Sequence, residues 1–369
     1  MSDIYVGLMS GTSMDGIDAV AVSFGDSSVE ILGTYTEQYP DKLRDQLIAA
    51  VREPLDVELD TNGDLDRQVG ECFGRAANAV IGQSGIRRKD IAAIGSHGQT
   101  LRHQPNAARP FSLQLGDPDI IAADTGCTTI ADFRTADIEA GGQGAPLAPP
   151  FHQWLFSRPG QSRVVVNIGG IANVTVLPGD GTAVVGFDTG PGNGLMDRWV
   201  QKHKDQPYDD HGRWASGGMI IEKLLEGLLG DPYFAAPAPK STGFEYFNLN
   251  WLDAHDTAQY DARNVQATLC ELTAISIANA IRALAANRAE TYICGGGVHN
   301  VLLLERLRAN LSGARVTSTA DVGLDPDWVE AVAFAWLAKR HLAGEPGNLP
   351  SVTGATHKVV LGKLHLPMQ

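Results

Sequence analysis

Apolar runs of strand length alternate with longer stretches of helical periodicity along most of the chain. The first apolar run covers residues 4–9, a turn of small and polar residues follows at 10–16, and an apolar run resumes at 17–22. Two short strands around a turn rich in Gly, Ser, Thr and Asp predict a β-hairpin.

A second hairpin pattern follows about 160 residues later, and such a recurrence is a sign of internal duplication. Arg163–Ile168 and Ile171–Leu177 are apolar and flank the glycine pair Gly169 and Gly170. The two patterns together predict that the chain contains two related halves.

Apolar residues recur at helical spacing in four of the intervening segments, which predicts helices over Asp41–Arg52, 64–81, 265–288 and 327–342. Alternation of strands with helices indicates an α/β protein. Prolines cluster at 146–150, just after the glycine-rich segment 141–144, and we place the crossover between domains there or slightly earlier, near residue 130. The predicted domains are 1–130 together with 345–369, and 131–344.

The composition argues against several classes of protein, among them nucleic-acid-binding and membrane-spanning proteins. The chain has 369 residues, of which 43% are hydrophobic and 20% charged, and its formal net charge is −14. A negatively charged protein is repelled by nucleic acid and by anionic membranes. We find no apolar run near the roughly 18 residues of a membrane span and no basic signal-peptide region. The four cysteines form no CxxC pair, which disfavours a zinc site or disulfide framework and favours a reducing cytoplasm.

Three glycine-rich turns are candidate nucleotide sites, because glycine lets backbone N–H groups approach phosphate oxygens. Residues 11–18 form the first and 167–170 the second, although each alone is also compatible with a plain hairpin turn. Gly295–Gly297 form the third, between the predicted strand 291–293 and a predicted helix that begins at Asn300. Three glycines there favour nucleotide contact over simple strand–helix packing, which usually needs one.

Asp188 is the candidate catalytic carboxylate. We expect it where a strand ends and the glycine loop 190–194 begins, the usual place for a catalytic carboxylate in an open sheet. The alternative is that Asp188 caps the helix that starts near Leu195.

Five further polar residues could line a pocket for the sugar and the phosphate: His97, Gln99, Arg134, Lys240 and Glu330. Arg134 or Lys240 could offset phosphate charge. Taken singly, each is as compatible with a solvated, capping or structural role; Glu330 could simply complement a helix N-terminus.

Six motifs in register resemble the anhydro-N-acetylmuramic acid kinase family. They are GLMSGTSMDGID at 7–18, GSHGQT at 95–100, ADFR at 131–134, GGQGAPL at 141–147, GFDTGPGN at 186–193 and CGGG at 294–297. The resemblance runs from residue 7 to about residue 361 in the same order along the chain.

This resemblance implies two duplicated actin-like ATPase domains, ribonuclease H-like in fold, around a nucleotide cleft. It implies that ATP phosphates and adenosine are bound by Gly11, Thr12, Ser13, Met14, Asp15, Gly16, Ile17, Asp18, Asn167, Gly169, Gly170, Gly295, Gly296 and Gly297. Asp188 matches the catalytic aspartate, and His97, Gln99, Arg134 and Glu330 are carried over as sugar-binding residues. Phe244 departs from the family, which commonly has an arginine at this position.

The implied reaction opens 1,6-anhydro-N-acetylmuramic acid hydrolytically and phosphorylates O6, giving N-acetylmuramic acid 6-phosphate and ADP in peptidoglycan recycling. We therefore expect ATP and Mg²⁺ as cofactors, a sugar as partner, no nucleic acid or membrane, and a cytoplasmic location. The metal ligands stay unassigned, and the oligomeric state stays open with a homodimer as the candidate. Two alternatives remain, an ordinary sugar kinase that deprotonates a free hydroxyl and an actin- or chaperone-like ATPase.

Overall fold

The computed structural model describes residues 4–11, 14–52, 60–285 and 289–367. The chain divides into two compact units, the first formed by Met1–Leu155 with Trp328–Gln369 and the second by Phe156–Asp327. Each unit has its own sheet and its own hydrophobic core.

The sheet of the first unit has seven strands within the described residues: β1 (Ile4–Ser10), β2 (Gly16–Phe24), β3 (Val29–Gln38), β4 (Ile91–Gln104), β5 (Phe111–Leu115), β6 (Thr129–Ala131) and β12 (Lys363–His365). The strand order is β12-β6-β4-β1-β2-β3, with β5 paired to β4. Strands β1, β2 and β3 are antiparallel neighbours, whereas β4 and β6 continue the sheet in parallel with β1.

The sheet of the second unit has five strands within the described residues: β7 (Arg163–Ile168), β8 (Ile171–Leu177), β9 (Val185–Pro191), β10 (Glu290–Cys294) and β11 (Val316–Ser318). Its order is β11-β10-β7-β8-β9. The first three strands are again antiparallel, and β10 and β11 again run parallel to the first. The repeated order confirms the predicted α/β fold with two duplicated ribonuclease H-like domains, and both predicted hairpins are present.

Helices surround the two sheets. The first unit contains α1 (Asp41–Arg52), α2 (Asp60–Gln83), α3 (Pro118–Thr125), α4 (Thr135–Glu139), α5 (Pro149–Phe156), α13 (Val329–Leu342) and α14 (Pro350–Thr353). The second contains α6 (Gly194–Lys204), α7 (Arg213–Ser216), α8 (Glu222–Leu229), α9 (Pro232–Ala235), α10 (Leu249–Asp253), α11 (Ala262–Ala285) and α12 (Val301–Asn310). The four predicted helices correspond to α1, α2, α11 and α13, except that residues 286–288 lie outside the described part of the chain.

Two segments predicted to lie in the second domain belong to the first unit in the structure. They are residues 131–155 and 328–344. Helix α13 packs directly on β1 and β4: a Cβ atom at Gly7 would overlap the carbonyl oxygen of Ala331, and one at Gly95 would overlap that of Phe334. This close approach of helix to strand fixes α13 in the first unit.

A buried carboxylate also ties the C-terminal residues to the first unit. Asp137 is fully buried, and it accepts hydrogen bonds from Gly144 N–H at 2.8 Å, from Asn348 Nδ2 at 2.7 Å and from Thr353 Oγ1 at 2.7 Å. Strand β12 then pairs with β6. A buried carboxylate needs such donors to offset its lost hydration, so these polar contacts and the strand pairing hold the returning chain in place.

Helix α11 is long and apolar enough to cross a membrane by composition alone, which the sequence analysis did not recognise. A few charged residues interrupt its apolar run. About two thirds of this apolar stretch is buried, and α11 contributes Leu269, Leu272 and Ile277 to the core of the second unit. Its apolar character is accounted for by this packing.

We expect Gly7→Ala to destabilise the protein by about 1–3 kcal/mol, because the added methyl group must displace the backbone of α13. Gly82→Ala is the matched control, since Gly82 lies near the end of α2 with open space around it, and alanine there should be neutral or stabilising. Urea unfolding of both variants tests this; equal midpoints would contradict the close packing of α13.

Acid should destabilise the first unit through its buried histidines. Burial lowers the pKa of His152 from 6.5 to about 3 and, with the charge of Arg134, that of His103 to about 4. The unfolded chain therefore binds more protons than the folded one below about pH 6.5, so stability present above that pH is lost as the pH falls toward 3. His152→Gln, which does not titrate, should show a shallower loss of unfolding midpoint between pH 6.5 and 4. An unchanged slope would contradict the burial argument.

Candidate active site

The first glycine turn joins β1 to β2, and its described residues are Gly11 and Met14 to Asp18; Thr12 and Ser13 lie outside the described residues. Met14 adopts a positive φ of 55°, and its carbonyl oxygen accepts a hydrogen bond from Arg44 Nε at 3.1 Å. Met14 is also mostly buried in the core. The burial of Met14 and the hydrogen bond from Arg44 therefore hold the turn in place.

The end of this turn merges with the sheet. Gly16, Ile17 and Asp18 are the first residues of β2, and the side chain of Ile17 is wholly buried. Asp18 Oδ1 accepts a hydrogen bond from Thr36 Oγ1 at 2.9 Å, whereas Asp15 is exposed. Among the residues predicted to bind phosphate, Asp15 and Asp18 have side chains nearer the surface, whereas the side chain of Ile17 packs in the core.

Gln99 supports the first turn. Residues 95–100 lie inside β4, which runs on to Gln104. Gln99 is fully buried; its Oε1 accepts from Ser10 Oγ at 2.7 Å and its Nε2 donates to Gly11 O at 3.2 Å. Its amide is thus bonded to the residues that begin the turn.

The second glycine turn is closed by the segment after β9. Gly169 O accepts from Asn193 N–H at 2.7 Å, and Gly170 O accepts from the N–H groups of Gly192 and Gly194, both at 3.0 Å. Asn167 is buried at the end of β7, and its Oδ1 has no hydrogen-bond partner among the described residues. A buried polar atom of this kind at a glycine turn indicates a place for a ligand or a water molecule.

The three glycines after β10 are not equivalent. Gly295 has a φ of 76° and sits against Asn167, and a Cβ atom at Gly297 would overlap the side chain of Ile168. At Gly296 the nearest atom to such a Cβ would be Asn193 Nδ2 at 3.8 Å. Gly295 and Gly297 are required by packing, and Gly296 alone faces open space.

Asp188 lies within β9 rather than beyond the end of its strand, because β9 extends to Pro191. Its carboxylate is half-buried, and Oδ2 accepts a hydrogen bond from Thr242 N–H at 3.0 Å. It does not cap α6, whose first turn begins after Asn193 without a side-chain cap. The capping alternative is therefore wrong.

The backbone around Asp188 is held by a loop at residues 240–242. Asp188 N–H donates to Lys240 O at 3.1 Å, and Tyr233 OH donates to Asp188 O at 2.7 Å. Lys240 Nζ donates to Tyr233 O at 2.8 Å, and burial lowers the pKa of Lys240 while the nearby Asp188 opposes that shift. These contacts fix the orientation of the carboxylate.

His97 and Arg134 form a pair in the first unit. Burial and the charge of Arg134 hold the pKa of His97 well below its usual 6.5, so the ring is neutral. A guanidinium can only donate, so Arg134 Nη2 donates to His97 Nε2 at 2.7 Å, and the ring proton resides on Nδ1. Arg134 Nη1 also donates to Gly144 O at 2.7 Å. His97 thus orients Arg134, and Nε2 is occupied as an acceptor.

Glu330 is half-buried in the first turn of α13. Among the described residues no group of three or more His, Cys, Asp and Glu side chains could hold a metal ion. Mg²⁺ commonly uses one or two carboxylates together with phosphate oxygens and water.

Two residues next to the candidate site are absent from the set predicted from the sequence. Tyr233 bonds to the backbone of Asp188, and Arg198 lies with its guanidinium carbon 4.4 Å from the centre of the Phe244 ring. Neither belongs to a glycine-rich motif, and each is about 45 residues from its contact along the chain. No local pattern could have found them.

Comparison with known proteins covers nearly the whole chain. The family model described as anhydro-N-acetylmuramic acid kinase matches residues 3–367. A protein of that name from Shewanella halifaxensis is 50% identical over 363 residues, which is 98% of each chain. Another from Xanthomonas axonopodis pv. citri is 51% identical over 368 residues, covering 99% of this chain and 98% of the relative.

Likeness to solved structures is weaker. A ROK family glucokinase from Streptomyces griseus in complex with glucose and AMPPNP gives a TM-score of 0.42 at 15% identity, covering 91% of this chain and 99% of that one. The assignment rests instead on the match of sequence over the full length. This chain belongs to the anhydro-N-acetylmuramic acid kinase family and is a phosphotransferase with an alcohol group as acceptor.

Proposed function

We propose that this enzyme uses ATP to convert 1,6-anhydro-N-acetylmuramic acid and water into N-acetylmuramic acid 6-phosphate and ADP, in peptidoglycan recycling and amino-sugar catabolism. The observation that carries the chemistry is the fixed carboxylate of Asp188. It lies on β9 opposite Asn173, and the segment after β9 closes the second glycine turn. A carboxylate held beside a nucleotide turn is suited to act as a general base where a phosphoryl group is transferred.

Asp188 takes a proton from the water that attacks the anomeric carbon C1. The bond from C1 to O6 breaks, and its electron pair stays on O6, which attacks the γ-phosphorus in line and displaces ADP. An ordinary inverting glycosidase needs a second carboxyl group to protonate the leaving oxygen. Here the phosphorus accepts that oxygen, so a single carboxylate suffices.

The glycine turns are proposed to bind ATP through backbone N–H groups. Gly11 to Asp18 would bind phosphates, with Asn167, Gly169 and Gly170 as the second phosphate loop. Gly295 to Gly297 would lie by the adenosine, and the open space at Gly296 supports this. Mg²⁺ bound to the phosphate oxygens would neutralise charge on the transferred group.

Arg134 is proposed to bind the sugar, with His97 holding its guanidinium in position and Glu330 as a further sugar contact. Gln99, carried over as a sugar-binding residue, is better suited to positioning the first turn because both ends of its amide bond to that region. A cytoplasmic location is supported by the four cysteines, which are all free and buried. A homodimer stays a prediction.

The reaction is tested by supplying ATP with either the anhydro-sugar or free N-acetylmuramic acid. We expect the anhydro-sugar to yield the 6-phosphate and ADP and the ring-opened sugar to react much more slowly. Equal turnover of both would favour an ordinary sugar kinase, and ADP release without any sugar would favour an ATPase.

Asp188→Asn should keep sugar and ATP binding but lower kcat by about 100- to 10,000-fold, the usual contribution of general-base catalysis. The amide oxygen can still accept the hydrogen bond from Thr242 N–H, so the local structure should survive. Asp180→Asn is the matched control, because Asp180 accepts a backbone N–H from Thr182 in an exposed turn. A near wild-type rate for Asp188→Asn would exclude the role, and Asp132 and Glu330 would be tested next.

Gly296→Val should weaken ATP binding about tenfold, because overpacking typically costs ~1–3 kcal/mol. The fold should survive, since a Cβ atom at this position meets no atom closer than 3.8 Å. Calorimetric titration with ATP measures the effect, and Gly82→Val in α2 serves as a control in equally open space. Unchanged affinity would contradict the adenosine assignment.

A further inference from the structure

An arginine lies over an aromatic ring, and the loop that carries this ring also bonds to the proposed catalytic carboxylate. Arg198 is in the second turn of α6, and its guanidinium carbon lies 4.4 Å from the centre of the Phe244 ring. Phe244 follows Thr242 by two residues, and the N–H of Thr242 holds the carboxylate of Asp188. The loop that orients the carboxylate thus also carries the ring on which the cation rests.

The same ring packs against the second glycine turn. A Cβ atom at Gly194 would lie 2.6 Å from Phe244 Cε1, 2.9 Å from Gly170 O and 3.3 Å from Gly170 Cα. Gly194 N–H itself donates to Gly170 O at 3.0 Å. Phe244 is therefore in contact with the place where α6 begins and where the proposed phosphate loop ends.

We propose that Arg198, held in place by the ring of Phe244, contacts the γ-phosphoryl group of ATP and stabilises its charge during transfer. This proposal rests on the proposed function, and it assigns a residue that the motif analysis did not single out. A guanidinium presents several N–H donors in a planar fork that matches phosphate oxygens, and its flat face stacks on an aromatic ring at the same time.

The surroundings favour a phosphoryl ligand over the carboxylate of the sugar. Phe244 lies against Gly194, whose N–H donates to Gly170 O, and it follows the loop that holds Asp188, so the ring places the Arg198 guanidinium near the proposed site of transfer. Phosphoryl transfer depends largely on cations positioned around the transferred group. The stack fixes a mobile side chain in that position, because a cation over an aromatic face is attracted by the negative charge of the ring surface.

Kinetics of Arg198→Ala provide the first test. We expect kcat to fall about 100-fold, the usual effect of losing one donor to a developing charge, with KM for the sugar within about twofold of wild type. Phe244→Ala should lower kcat less, by about three- to tenfold, and the double variant should be no slower than Arg198→Ala alone. A kcat within twofold of wild type for Arg198→Ala, or additive losses in the double variant, would overturn the proposal.

The matched control is Lys202→Ala. Lys202 is one turn further along α6, and its Nζ lies 5.3 Å from the centre of the Trp199 ring, so the variant removes a comparable cation–aromatic pair. Its kcat should equal that of wild type. A loss as large as that of Arg198→Ala would mean that α6 is merely disturbed, which would overturn the specific role.

Nucleotide binding without sugar provides the second test and needs no turnover. Arg198→Ala should bind the non-hydrolysable analogue AMP-PNP about tenfold more weakly than wild type, and ADP equally well, because only the analogue carries a γ-phosphate. Equal losses for both nucleotides, or none for either, would overturn the proposal. If wild type binds AMP-PNP and fails to phosphorylate the anhydro-sugar, the proposed function fails while this comparison still decides the role of Arg198.

Discussion

Direct contact of backbone with backbone is the constraint on which both units depend. In the first unit, α13 lies so close to β1 and β4 that Gly7 and Gly95 have no room for a Cβ atom. In the second, a Cβ atom at Gly192 would overlap the carbonyl oxygen of Gly169. Glycine is required at these points by contact rather than by a turn.

This constraint explains why the two candidate ligand turns of the second unit are adjacent. Gly295 and Gly297 allow the segment after β10 to pack on Asn167 and Ile168, which lie at the end of β7. Since β7 and β10 are parallel neighbours, their carboxyl ends meet at the same edge of the sheet. Packing at Gly295 and Gly297 thereby leaves Gly296 as the open position at that edge.

Polar side chains of the same type have different roles, and their hydrogen-bond partners account for the difference. The carboxylate of Asp188 is oriented by Thr242 N–H, whereas the buried carboxylate of Asp137 uses three donors to hold the first unit together. His97 is neutral and accepts from Arg134, so its contribution is to direct a cation rather than to carry a proton. Residues of the same chemical type thus differ in role because their partners and burial differ.

The sequence by itself determined the two hairpins, the alternation of strands and helices, and the membership of the family. These follow from local periodicity and from glycine-rich motifs, which act over a few residues. The glycine-rich segment around Asp188 was enough to predict it as the candidate catalytic carboxylate. The predicted position at the end of a strand was wrong, because β9 continues to Pro191. The same local signals could not show that residues 328–344 belong to the first unit.

Only the tertiary structure decided contacts between residues far apart along the chain. It placed α13 on β1, directed the amide of Gln99 to the first turn, and set Arg198 on the ring of Phe244. It also distinguished Gly296 from its two neighbours, which the motif presents as equivalent. The physical reason is that burial and close approach arise from packing between distant segments, and no local pattern of residues records them.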